Sequence, residues 1–180
     1  MKPDVDDVTD LVRADGTVRP QRPSFAFMKP RLSRWIALGF GSGLATTAPG
    51  TFGTLFGWVS YLLLHRAAGD AGVMIAVAVG LVAGVWAIGR TGRDLGAVDH
   101  GAIVWDEVLA FWLVLLLVPQ TFTSQLLAFL VFRAFAILKP PPIRAVDRRW
   151  KTAAGVIADD LLAAGRTVLV FALWQRIVVG

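Results

Sequence analysis

The sequence predicts an all-α membrane protein, a polytopic helix bundle with about five transmembrane helices. Hydrophobic residues make up 56% of its 180 positions and charged residues only 17%, whereas soluble domains are about half apolar and about a quarter charged. Apolar segments follow one another at 52–65, 73–89, 102–118, 122–138 and 156–179. Each is near or a little under the roughly 20 residues that cross a bilayer. Such a succession favours a membrane bundle over the buried helices of a soluble core.

Two further regions precede these segments. Residues 1–30 are polar, proline-containing and mixed in charge, without the apolar stretch of a signal peptide, so a mobile polar tail is expected there. Residues 31–180 are then the membrane-embedded domain. Its first part, 31–51, is mildly apolar and rich in glycine, which predicts a broken or re-entrant element before the first span.

The basic residues predict the orientation of the bundle. They flank the first span on its N-terminal side and gather in the loops 90–101 and 139–155, whereas the other two loops contain only Arg66. Basic loops stay in the cytoplasm. The N-terminus and these two loops are therefore expected inside, with the polar candidate residues at the same face.

The composition excludes several kinds of catalytic site. There is no cysteine, so neither a cysteine nucleophile nor a zinc–thiolate site can form. The two histidines, His65 and His100, are predicted at opposite membrane faces, which does not fit a lipid phosphatase with two catalytic histidines. His100 follows Asp99 and is either a general acid or a structural residue.

Carboxylates recur at one predicted membrane level. Two adjacent acidic pairs, with one further aspartate near the first, occupy the starts of the third and fifth spans: Asp99, Asp106, Glu107, Asp159 and Asp160. Magnesium prefers oxygen ligands, typically carboxylates, water and substrate phosphate. Helix capping and pairing with arginines is the alternative for any one of them. Two pairs at one level favour a metal site.

Basic side chains return to the same level at the end of the fourth span. Arg133 lies roughly 9 Å of helix rise before Lys139, and a buried arginine needs an anionic partner such as phosphate. Lys139 and Arg144 flank three prolines that end the helix. For these two residues, attraction to anionic lipid explains the charge equally well.

The glycine-rich stretch offers a third element. Residues 39–43 read Gly-Phe-Gly-Ser-Gly, and 48–54 include Thr51 and Thr54. Thr51 is expected to cap a helix that begins near Phe52, where backbone N–H groups would form an anion site. Glycines of this kind also serve close helix packing in membranes, so the stretch alone decides nothing.

Four ordered blocks resemble the bacterial phosphatidylglycerophosphatase A family. They are residues 39–43 with 49–51, residues 99–107, residues 132–133 with 139–140 and 142–144, where Asp147 fits just beyond, and residues 155–160 with 163–165. Pro141 stands where the family often has an aromatic residue. The resemblance covers nearly everything from Leu32 to Arg166. It implies a Mg²⁺-dependent enzyme of the bacterial inner membrane, in phospholipid biosynthesis. Its partners would be membrane lipids and phosphatidylglycerol phosphate, hydrolysed to phosphatidylglycerol and phosphate at the cytoplasmic face, with no nucleic acid.

The residues and this resemblance together assign expected roles, either in a metal-assisted hydrolysis by water or through a covalent aspartyl-phosphate. Asp99, Asp106 and Asp159 are candidate catalytic residues, and Glu107, Asp160 and Asp106 are candidate metal ligands. The candidate phosphate contacts are Thr51, Thr54, Arg133, Lys139 and Arg144. Two other classes remain alternatives. A small transporter would need polar residues through the membrane depth, and a non-enzymatic anionic-lipid-binding protein would explain the bases but not the acidic pairs.

One position departs from the family pattern. Where the family has an aspartate three residues after its arginine and three before its lysine, this sequence has Ala136. Position 136 shares a helical face with Arg133 and Lys139. Without the acid, the two cations are less compensated, which predicts a weakened or inactive form.

Overall fold

The described part of the chain folds into helices joined by short connections. Its structure, a computed structural model, describes residues 22–141, 150 and 152–179, and these contain no β-strand. The helices are α1 (Phe25–Met28), α2 (Leu32–Ala37), a 3₁₀ segment (Gly39–Leu44), α3 (Pro49–Leu95), α4 (Trp105–Leu117), α5 (Phe122–Leu138) and α6 (Ala153–Val179). The all-α prediction is confirmed.

The predicted apolar segments correspond to these helices with shifted ends. Helix α5 coincides with 122–138, and α6 begins three residues earlier than expected. Helix α4 begins at Trp105 rather than at 102, because the preceding residues connect to the N-terminal region instead. There the backbone N–H of Val104 donates to the carbonyl of Ala37 at 3.0 Å.

The segments 52–65 and 73–89 both lie in α3, which is a helical hairpin. Gly69 breaks the helix with φ 63° and ψ −169°, a conformation open essentially to glycine alone. The indole N–H groups of Trp105 and Trp112 donate to the carbonyls of Gly80 and Gly57 at 3.0 and 2.9 Å. A straight helix would hold Gly57 and Gly80 about 35 Å apart, whereas the two tryptophans are separated by only about 10 Å along α4. The chain therefore turns back at Gly69.

Helix α4 is the centre of the bundle. Its residues Val108, Leu109, Phe111, Val114 and Leu115 are fully buried, and it packs against both α3 and α6 as well as α5. Because α4 is enclosed, its first turn is held rigidly, and that turn carries Asp106 and Glu107.

The N-terminal region is a broken element, as predicted for 31–51. Phe40 and Gly41 have positive φ values of 54° and 103° and interrupt the helical path between α2 and α3. Ordered packing begins before residue 31, however. Helix α1 lies within the expected tail, and Met28 is buried against Leu38 and Ala102. Residues 1–21 lie outside the described part of the chain.

Apolar side chains also cover much of the outside. Val82 is 77% exposed and Ile177 81% exposed, and many other large apolar residues are exposed along α3, α5 and α6. Within the described ranges, Pro49–Leu95 is the one helix that is both long and apolar enough to cross a membrane, and the apolar helix Phe122–Leu138 is shorter. Exposed apolar surface of this extent is typical of proteins that meet a membrane or a partner.

Candidate active site

The elements of the bundle bring most of the predicted residues to one cavity of about 310 Å³. It lies where α3 begins, α4 begins and α5 ends, beside the second turn of α6. We call it the inner cavity. Its described lining comprises Ala48, Pro49, Gly50, Asp99, His100, Gly101, Ile103, Asp106, Glu107, Arg133, Ala136, Lys139, Asp159 and Asp160.

Arg133 is held by two partners from other helices. Its Nη1 donates to Glu107 Oε1 at 2.7 Å and to Thr54 Oγ1 at 3.2 Å. The two charged side chains are only 12% and 15% exposed. Thr54 in turn donates to the carbonyl of Gly50 at 2.9 Å. The guanidinium is thus fixed at the cavity wall, as a site for an anion requires.

Lys139 forms an ion pair with a residue of α6, the fifth predicted span. Its Nζ lies 2.5 Å from Asp159 Oδ2, and the carboxylate is buried. Lys139 ends α5 in the left-handed region, with φ 42°, which non-glycine residues rarely occupy. This backbone turns the lysine out of the helix, and the ion pair holds it beside the cavity.

The acidic residues outnumber the cations. The described lining has five carboxylates and two basic side chains, so three formal negative charges are in excess. Asp106 interacts electrostatically with Glu107 and Asp159, and Asp160 interacts with all three. A phosphate dianion would be repelled by this lining unless a further cation accompanied it.

Two oxygen atoms in the cavity have no hydrogen-bond partner although they are buried, Asp106 Oδ1 and Glu107 Oε2. Buried carboxylate oxygens normally have a partner. No group of three or more His, Cys, Asp or Glu side chains is arranged to hold a metal ion within the described ranges. Magnesium often takes only one or two carboxylates and completes its shell with water and substrate phosphate. The two partnerless oxygens fit that manner of binding.

Glycine at the start of α3 allows the close approach of Glu107. A Cβ atom at Gly50 would lie 2.2 Å from Glu107 Oε1, and one at Gly53 would lie 3.2 Å from Oε2. A larger residue at Gly50 would displace the carboxylate, and one at Gly53 would first clash with Val104, whose Cβ would lie 2.6 Å away. The sequence analysis interpreted these glycines only as an anion site or as helix packing. Glycines at i and i+3 of a helix start are the sequence pattern that could have predicted a close approach by another side chain.

Thr51 and Thr54 are not where the sequence prediction had them. Helix α3 begins at Pro49 with Ala48 as its N-cap, so Thr51 does not cap it. Proline at the first helical position sets the start of the helix earlier. Neither threonine belongs to the cavity lining, and Thr54 is fully buried behind Arg133. Arg144 and Asp147 lie outside the described residues.

The two histidines lie at opposite ends of α4, as expected. His100 precedes α4 and lines the cavity, and its Nδ1 accepts from the Ala102 N–H at 3.1 Å. His65 stacks on Tyr61, which bonds to the carbonyl of Leu115 near the other end. A mechanism with two histidines in one site is therefore excluded.

Comparisons with known proteins show the family of the chain. The family model described as phosphatidylglycerophosphatase A matches residues 35–175. The phosphatidylglycerophosphatase A of Haemophilus influenzae is 40% identical over 136 residues, 75% of this chain and 83% of that protein. That of Escherichia coli is 34% identical over 151 residues, 82% and 87% of the two chains. No solved structure matches.

The helical fold, the cavity and these relatives together define a membrane-associated lipid phosphatase. The match covers most of the chain and includes every described residue of the inner cavity. The chain belongs to the phosphatidylglycerophosphatase A family.

Proposed function

We propose that the inner cavity hydrolyses the phosphomonoester of phosphatidylglycerol phosphate, releasing phosphate and leaving phosphatidylglycerol. The observation that carries this proposal is that one cavity contains both fixed cations and carboxylate oxygens without a hydrogen-bond partner. Arg133 and Lys139 are each ion-paired, while Asp106 Oδ1 and Glu107 Oε2 are buried without a partner. An anionic-lipid-binding protein would need the cations but not the acids.

In this mechanism Arg133 and Lys139 orient the phosphoryl group and stabilise the charge that builds on its oxygens. Asp106 accepts a proton from the attacking water, whose oxygen bonds to phosphorus. The bond between phosphorus and the glycerol oxygen breaks, and the glycerol oxygen takes up the proton that Asp106 accepted from the water. Asp159 keeps Lys139 in position, and Asp99 lies at the exposed side of the cavity.

Glu107 and Asp160, together with Asp106, are the proposed holders of Mg²⁺. The cation would neutralise charge on the phosphoryl group when bound. The excess of carboxylates in the described lining supports this, because a dianion alone would be repelled. The residues themselves still perform the orientation: Glu107 binds Arg133 through one oxygen and keeps the other for the metal.

Phosphate release from purified lipids tests the function. The enzyme in detergent micelles should release phosphate from phosphatidylglycerol phosphate when Mg²⁺ is present, and chelation should stop the reaction. Phosphatidic acid, which also has a phosphomonoester, should be a poorer substrate. A protein that binds phosphatidylglycerol phosphate but releases no phosphate with Mg²⁺ would contradict the proposal.

We also propose that the bundle spans the bacterial inner membrane about five times, with the inner cavity at the cytoplasmic face. The hairpin of α3 supports this, since each arm is at least as long as a bilayer requires. The exposed apolar residues of α3, α5 and α6 support it too. The basic residues Arg31, Arg34, Arg90 and Arg93 lie at the end of the bundle that has the cavity, as the cytoplasmic side requires.

Single cysteines can test this orientation, because the chain has none of its own. Arg93 is exposed at the cavity end, and Ala67 is exposed at the tip of the α3 hairpin. With Arg93→Cys, a membrane-impermeant thiol reagent should label the protein only from the cytoplasmic side, and with Ala67→Cys only from the outside. Labelling of both variants from the same side would refute the arrangement.

A further inference from the structure

A second cavity of about 310 Å³ adjoins the inner cavity, and we call it the outer cavity. The two share a wall made of Pro49, His100 and Gly101. The described lining of the outer cavity has a different charge. It contains Arg22 and no carboxylate, together with Thr46. Because the two cavities adjoin, a group joined to the phosphoryl group by a short linker can lie in the outer cavity while the phosphoryl group is in the inner one.

The N-terminal segment that carries Arg22 packs against the rest of the protein. Met28 is buried against Leu38 and Ala102, and Ala102 itself lines the outer cavity. Arg34 donates to the carbonyl of Phe27 at 2.7 Å, and its guanidinium lies 3.8 Å from the centre of the Phe27 ring. The start of this segment therefore forms part of the lining of the outer cavity, with Arg22 at its edge.

The end of α3 also holds this N-terminal segment. Asp94 accepts from Arg31 at 3.0 Å and from Arg34 at 3.1 Å. On the other side of the outer cavity, a Cβ atom at Gly43 would lie 2.0 Å from the carbonyl oxygen of Ala102. Gly43 and Ala102, which both line the outer cavity, thus touch at a point where only glycine fits. Arg22 lies outside the residues 35–175 that match the family.

We propose that the outer cavity binds the phosphodiester of the lipid headgroup and that Arg22 is a specificity-determining residue for it. This rests on the proposed function. Phosphatidylglycerol phosphate has a terminal phosphomonoester and, across one glycerol, a phosphodiester with a single negative charge. The guanidinium of Arg22 matches that charge. Phosphatidic acid has no phosphodiester, so the outer cavity selects lipids with two phosphates.

Arg22→Ala, assayed in the full chain, tests this. For phosphatidylglycerol phosphate, kcat/KM should fall about fivefold, mainly through KM, because Arg22 is an exposed cation. For phosphatidic acid it should not change. Lys29→Ala is the matched control, since Lys29 is exposed on the same segment but lines neither cavity. It should behave like the unchanged protein with both lipids.

Inhibition distinguishes the lipid phosphodiester from free phosphate as the ligand of the outer cavity. Arg22→Ala should weaken inhibition by phosphatidylglycerol, which has only the phosphodiester, and leave inhibition by inorganic phosphate unchanged. Equal losses with both lipid substrates, or weaker inhibition by inorganic phosphate alone, would overturn the inference. If Arg22→Ala and Lys29→Ala both turn over phosphatidylglycerol phosphate like the unchanged protein, the inference fails and the proposed function stands. If the unchanged protein releases no phosphate from this lipid, both fail.

Discussion

Replacing Glu107 by glutamine should reduce Mg²⁺-dependent phosphate release by about a hundredfold or more. The amide can still accept a hydrogen bond from Arg133, so the anchor at 2.7 Å can persist. What is lost is the negative charge of the second oxygen, which is buried without a partner. Asp160→Asn should have a similar effect, because Asp160 is a proposed ligand in the same cavity.

Asp70→Asn is the matched control for this prediction. Asp70 is also a paired carboxylate, hydrogen-bonded to His65, but it lies in α3 outside the linings of both cavities. It should keep its Mg²⁺ dependence and most of its turnover. Thermal unfolding in detergent should show that all three variants stay folded. Folded Glu107→Gln protein with full activity at limiting Mg²⁺ would show that Glu107 is not a ligand.

The convergence of the acidic and basic residues could be predicted because hydrophobic segments fix which ends meet. Segments that cross in alternation bring the start of α4, the end of α5 and the start of α6 to one level. The structure puts Asp106, Arg133, Lys139 and Asp159 there, together with Glu107 and Asp160. These residues thus line one cavity, whereas their chemical roles and their common membrane level stay predictions.

The details depend on contacts between elements that are distant in sequence. Thr54 was expected to meet phosphate, yet its hydroxyl faces Arg133, which lies 79 positions further along the chain. The start of α4 is set by the bond between Val104 and Ala37, and no local pattern signals that bond. The packing of Met28 likewise depends on Ala102. Periodicity and composition describe one segment at a time, so such pairings are beyond them.

Ala136→Asp should raise phosphatase activity about a hundredfold. Ala136 is buried and lines the inner cavity between Arg133 and Lys139. The resemblance of the sequence blocks to the family predicts an aspartate here. A carboxylate at this position would project beside both cations, where it could bind metal or take part in proton transfer. It would also compete with the phosphate for those cations, so KM should rise while kcat increases.

Ala136→Asn separates the charge from the size of the new side chain. The amide occupies nearly the same volume but can neither ionise nor act as a base, so it should leave the rate low. If position 136 only packs, the aspartate would bury a charge without benefit and destabilise α5. Activity and thermal unfolding of the three forms, measured side by side in detergent, distinguish the two cases. A rate that stays the same or falls in Ala136→Asp, together with a lower unfolding temperature, would show that this position serves packing alone. A rate that rises in the aspartate form and not in the asparagine form would assign a role in the reaction itself to a carboxylate at this position.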